Sequence, residues 1–244
     1  MLGEIGNILW LINRSTLHIS AMLQNAEMKS GSRINMDIIE DIKDLPWPEE
    51  GDSIFAPSNN YKHNACFHFV HNKMNLYADG YLYAAETLID SVISSADRVN
   101  YIDAKVYPIL FLYHHHVELR LKDIISKGNS LLDKDDKFPQ HHDIYELWCV
   151  AKKIICKINE HSKDKQPVNA VERVIKELVK IDRDAMGYRY PYDKEGNLLL
   201  KDINNLNLDS LCRTMKKITT FLDAVGEQIY VYLDYKQDAE SNFM

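Results

Sequence analysis

Pro108-Ile109-Leu110-Phe111-Leu112-Tyr113-His114-His115-His116-Val117-Glu118-Leu119-Arg120-Leu121-Lys122 is the stretch on which the fold turns. At about 100° per residue, Leu110, Tyr113, Val117, Leu121 and Ile124 line one side of a helix, and proline suits its first turn. Leu112 and Leu119 make the opposite side apolar too, so a helix over 108–126 is expected at the centre of the molecule, covered on most sides. His114, His115, Glu118 and Lys122 fall within an arc of about 100° beside the apolar one. Polar groups at the edge of a core need specific partners.

The same periodicity predicts helices on either side. Leu82, Ala85, Leu88, Ile89 and Val92 mark one over 74–97. Asp143 with Glu146 three residues on is a capping-box pattern, placed ahead of Ile144, Leu147, Trp148, Ile154, Ile155 and Ile158. Pro167 opens a segment with Val171, Val174, Ile175, Leu178 and Val179 inward, expected to end near Met186-Gly187. Leu211, Met215, Ile218, Leu222, Val225, Ile229 and Leu233 are in register over 208–234. Between the last two, residues 188–200 hold Pro191, Asp193, Gly196 and Asn197, which fits a small β-hairpin or ordered loop.

Ile5, Leu9, Ile12, Ile19 and Leu23 suggest a further helix over 3–27, with a short one near 36–45. Pro46, Pro48, Gly51 and Pro57 then make residues 46–62 a loop or linker. The reading is an all-α protein: an N-terminal helical extension and linker (1–62), a bundle of four to five long helices (63–236) and a flexible tail (237–244).

Composition agrees. With 244 residues, 45% of them hydrophobic, and only 9 Gly and 7 Pro, the chain is neither disordered nor collagen-like. Its 29 Lys and Arg against 36 Asp and Glu leave a formal charge of −7, which disfavours coating nucleic acid or anionic lipid with the whole surface. Residues 35–55 are strongly acidic, whereas 150–180 hold eight bases against four acids, either a local basic surface or a solvated helix face. Cys66, Cys149, Cys156 and Cys212 are scattered and form no CxxC pair, which favours reduced thiols in the cytoplasm. The apolar run at 8–12 lies between Glu4 and Arg14 and lacks a cleavage pattern, and no uncharged stretch is long enough to span a bilayer, so neither a signal peptide nor a membrane association is expected.

Two readings of the polar strip stand side by side. In one, Glu118 and Lys122 are an i,i+4 pair and the histidines satisfy carbonyls. In the other, a histidine beside a carboxylate is tuned to titrate near neutrality and does chemistry. Neighbouring helical residues diverge by about 100°, so three successive histidines cannot face one metal. His63, Cys66, His68 and His71 have ligand-like chemistry, but Phe67, Phe69 and Val70 interleave with them, and a core-lining aromatic segment is expected rather than a metal site. Arg189, among Tyr188, Tyr190 and Tyr192, either presents a guanidinium to a phosphate or carboxylate or caps helix carbonyls. No Gly-rich phosphate loop, GxSxG, HExxH or Rossmann fingerprint is present, and no cofactor is expected.

Taken together, Phe111 to Lys122, His142-Asp143-Ile144 with Leu147-Trp148, and Arg189-Tyr190-Pro191 with Asp193 and Gly196 resemble a divergent prokaryotic branch of the HEPN superfamily, over roughly residues 74–234. The resemblance implies a four- or five-helix bundle, usually dimeric, in a toxin-antitoxin or phage-defence setting, often a metal-independent endoribonuclease or an RNA- or nucleotide-binding domain, with a possible partner protein. The Arg-x4-6-His pair typical of the catalytic members has no counterpart in this chain. The catalytic residues expected to act instead are His115 or His142 as general acid or base and Glu118 orienting a histidine, with Lys122, Arg189 and His114 meeting substrate. The competing expectation is a non-catalytic dimerisation or interaction module whose polar strip fixes helix packing.

Overall fold

The computed structural model describes residues 48–56, 58–67, 73–94, 98–183 and 185–241, with backbone alone for 98–101. The chain divides into two compact units, 1–65 and 66–244. Of the first, the described part is an exposed segment with one short 3-10 turn, Tyr61–His63, where the Asn60 side-chain amide meets the His63 ring. The helices expected at 3–27 and 36–45 lie outside the described residues.

The second unit is all-helical, with five helices among its described residues: α1 (Lys73–Ile93), α2 (Arg98–Leu131), α3 (Ile144–Ile158), α4 (Gln166–Ile181) and α5 (Leu208–Ser241). None of them is long and apolar enough to cross a membrane. α2 is central, packing against α1, α3 and α5, while α4 packs on α3. Its row Leu110, Tyr113, Val117, Leu121 and Ile124 is buried as the spacing requires, against Ala85 and Ile89 of α1, Leu147 and Trp148 of α3, and Met215 and Leu222 of α5.

Several boundaries differ from the sequence reading. α2 starts ten residues before Pro108, which sits inside the helix. A proline there forfeits its own backbone bond, and Ile102 and Val106, packed against the core, carry the helix through. α4 stops at Ile181 instead of running to Met186, because the Asp182 carboxylate takes the Gly187 and Tyr188 N–H groups and turns the chain. Residues 237–241, expected as tail, extend α5 to Ser241. The 188–200 segment is an ordered loop with a single antiparallel bridge, Tyr192 to Leu198, closed by a turn with Gly196 at φ +83°. Three N–H groups of that turn bond carboxylate or carbonyl oxygens of Asp193.

Two devices fix the register of α2. Arg120 reaches Asn75 (2.9 Å) and Asp79 (2.6 Å) on α1 and Asp223 (2.9 Å) on α5, tying three helices together. At the far end Lys236 of α5 donates to the Ser130 and Leu131 carbonyls and pairs with Asp133, where a cation suits a helix C-terminus.

Candidate functional site

Helical spacing places His115, Glu118 and Lys122 on one edge of α2, and the N-cap of α3 delivers a fourth group from outside. Asp143 accepts the Tyr145 (2.9 Å) and Glu146 (3.1 Å) N–H groups, and Arg183 pairs with its other oxygen. The Glu146 side chain turns away from the reciprocal capping bond to meet Arg183 and His141. Burial raises the Asp143 carboxyl, but the Glu146 N–H, Arg183 and the Tyr145 N–H outweigh it and hold it below the usual carboxylate range. With that cap fixed, the preceding residue, His142, is held against α2.

Glu118 is the hub. Its Oε1 accepts from Lys122 Nζ at 2.8 Å and from His142 Nδ1 at 2.8 Å, and its Oε2 lies 3.5 Å from His115 Nδ1. The carboxylate is buried, as is the Lys122 ammonium, while His142 is 70% exposed and His115 26%. Burial raises the Glu118 carboxyl, but hydrogen bonds from His115, Lys122 and His142 together with the Lys122 charge overcome it and hold it at about 2. Glu118 is therefore a fixed anion carrying two imidazoles by their Nδ1 atoms. That arrangement sets the tautomer of His142 so that Nε2 holds the lone pair when the ring is neutral.

His115 is seated between aromatic rings. Phe111 stacks on it (centroids 5.8 Å apart, 8° between planes) and Tyr81 of α1 meets it edge-on at 4.5 Å. Phe111 also receives the Arg189 guanidinium, 5.8 Å from its centroid, so the 182–207 connection reaches the same neighbourhood. Arg189 Nε donates to the Ala185 carbonyl at 3.1 Å, a loop carbonyl of the same connection.

The structure thus brings together His115, Glu118, Lys122 and His142, with Arg189 beside them across Phe111. His114 goes elsewhere: it is buried, its ring against Tyr188, because one residue along the helix rotates it into the core. His116, likewise buried, donates from Nδ1 to the Ala78 carbonyl of α1 at 2.9 Å. Lys122 is spoken for by Glu118 and lies over the Phe138 ring, so it steadies the carboxylate instead of meeting a substrate. Tyr81 and Arg183 carried no sequence signal, since the former sits on another helix and the latter lies 40 residues from Asp143.

His63, Cys66 and Phe67 are exposed, so this part of the expected aromatic segment does not line a core; His68 and His71 lie outside the described residues. Among the described residues no group of three or more His, Cys, Asp or Glu side chains is placed to hold a metal ion. The 150–180 bases are partly neutralised, Lys152 and Lys176 both pairing with Glu172. A pocket of about 450 Å³ between α2, the end of α4 and the 200–208 segment contains none of the cluster's residues. Compared with protein-family models, curated proteins and solved structures, the chain matches none.

Proposed function

We propose that this is a HEPN-like protein of a prokaryotic defence or toxin-antitoxin type system, a cytoplasmic homodimer that cleaves RNA without a metal. The observation that carries the reading is the pair of imidazoles, His115 and His142, on one buried carboxylate held ionised at neutral pH. One ring takes the proton of a ribose 2′-hydroxyl through Nε2 as that oxygen attacks phosphorus; the other, protonated, gives its proton to the departing 5′-oxygen. The products are a 2′,3′-cyclic phosphate and a 5′-hydroxyl. Glu118 orients both rings and stabilises whichever is cationic, and Arg189 supplies charge for the phosphate oxygens.

A second reading is favoured by the buried Lys122–Glu118 pair and by the bond from Arg189 to Ala185, both of which serve packing: a dimerisation or interaction module with no chemistry. Incubating the full chain with a labelled oligoribonucleotide in EDTA separates the two. Cleavage to cyclic phosphate ends, reduced about a hundredfold (~3 kcal/mol of barrier) in His142→Ala at unchanged melting temperature, supports the ribonuclease. Intact RNA with the wild-type protein, as monomer or dimer, leaves the module.

A further inference from the structure

The C-terminal half of α5 leaves apolar and aromatic side chains exposed beside its acidic ones. Ile229 is buried and Leu233 packs against the core, whereas Tyr230, Val231, Tyr232 and Tyr235 are all exposed, Tyr235 by 69%. At 100° per residue, Val231 lies roughly opposite the buried row Leu222, Val225 and Ile229, Tyr230 and Tyr235 lie about 110° to either side of it, and Tyr232 borders it. A contiguous exposed apolar patch rimmed by polar residues marks an interaction surface, and three tyrosines of low side-chain entropy are the residue type that anchors interfaces.

Charge says what covers it. Residues 227–241 hold Glu227, Asp234, Asp238 and Glu240 against Lys236 alone, and Lys236 is turned inward onto the end of α2. Among the described residues Glu227, Asp234 and Glu240 form no ion pair. An antiparallel pairing with a second copy would set Glu227 near Asp238 of that copy, and phosphate would be repelled outright. We propose that this aromatic and acidic face of α5 docks an amphipathic helix of a partner protein, one with an aliphatic stripe bordered by Lys and Arg. The aliphatic stripe covers Val231 and Tyr235, and the flanking cations meet Glu227 and Asp234. This inference does not depend on any reaction at the Glu118 cluster.

The probe is a fluorescently labelled 18-residue helix with Leu at i, i+3 and i+4 spacing and Lys elsewhere, titrated with the full chain by anisotropy beside a Leu/Glu peptide of the same pattern. Binding of the Leu/Lys peptide alone is expected, weakened about tenfold or more by Val231→Asp with Tyr235→Ser, by Glu227→Lys with Asp234→Lys, and by raising salt. All four positions are solvent-facing, and both variants should keep the wild-type melting temperature; the charge-swap pair leaves the tyrosines in place as an internal check. No binding at about 100 μM, equal binding of both peptides, or equal binding by wild type and variants overturns the proposal. So does a wild-type dimer that Val231→Asp with Tyr235→Ser disperses, which would make a second copy the occupant.

Discussion

Glu118 is the side chain whose removal reaches furthest. It neutralises a buried ammonium and anchors two imidazoles, so Glu118→Gln leaves Lys122 uncompensated where water is scarce. Breaking a buried pair from one side costs about 3–5 kcal/mol, reduced here to roughly 2–3 because Lys122 lies at the cluster's edge and its long chain can shift its amine toward water. His142→Ala removes an exposed ring and should cost under about 0.5 kcal/mol. Lys122→Met should fall between them, because Glu118 retains its contacts with the two histidines. Urea unfolding of the three variants checks the order; equal losses would mean that Glu118 is not the hub.

At the level of the helices, the α2–α3 contact depends on a glycine. A Cβ at Gly128 would stand 2.4 Å from Ile154 Cγ2, a methyl on a branched carbon that cannot rotate away freely. Gly→Ala in a helix gains up to about 1 kcal/mol from propensity, but overpacking costs about 1–3, so Gly128→Ala should destabilise by roughly 1 kcal/mol or more. Adding Ile154→Ala deletes the obstructing methyl, so a double-mutant cycle should show favourable coupling; simple additivity would sink the explanation. The sequence held no hint of this contact, since Gly128 pairs with a residue 26 positions away. It did show the five helices, because their apolar rows are periodic and buried. It misplaced the ends of α2 and α4, because those are settled by core contacts around Pro108 and by the Asp182 carboxylate, which periodicity does not register. The strip on α2 was readable as helical geometry, and His142 joined it because a recognisable N-cap holds the adjacent residue. The rotation of His114 into the core and the Arg189–Phe111–His115 stack were not readable, since both depend on which neighbours cover α2.

Across the whole molecule, the buried His116, Glu118 and Asp143 make stability below pH 8 depend on pH with a single sign. Burial lowers the His116 imidazole below its ordinary 6.5, in spite of its bond to the Ala78 carbonyl, so the unfolded chain protonates first and stability falls as pH drops below about 6.5. Glu118 is held at about 2 against an ordinary 4.5. Its contribution is complete above pH 4.5 and is lost as pH falls toward 2, and the difference corresponds to at most about 3 kcal/mol. Asp143, also lowered, adds to the second stage in the same direction. Urea midpoints measured from pH 8 to pH 2 should therefore decline in two stages, the first beginning near 6.5 and the second near 4.5. His116→Gln should flatten the first stage, because the amide can keep a bond to Ala78 without taking up a proton. Glu118→Gln should be less stable than wild type at pH 7 and approach it near pH 2, where the wild-type carboxylate has largely lost its advantage. Parallel curves for the Glu118 variant and wild type, or stability that rises on acidification from pH 7 to 5, would show that these side chains do not govern the acid response.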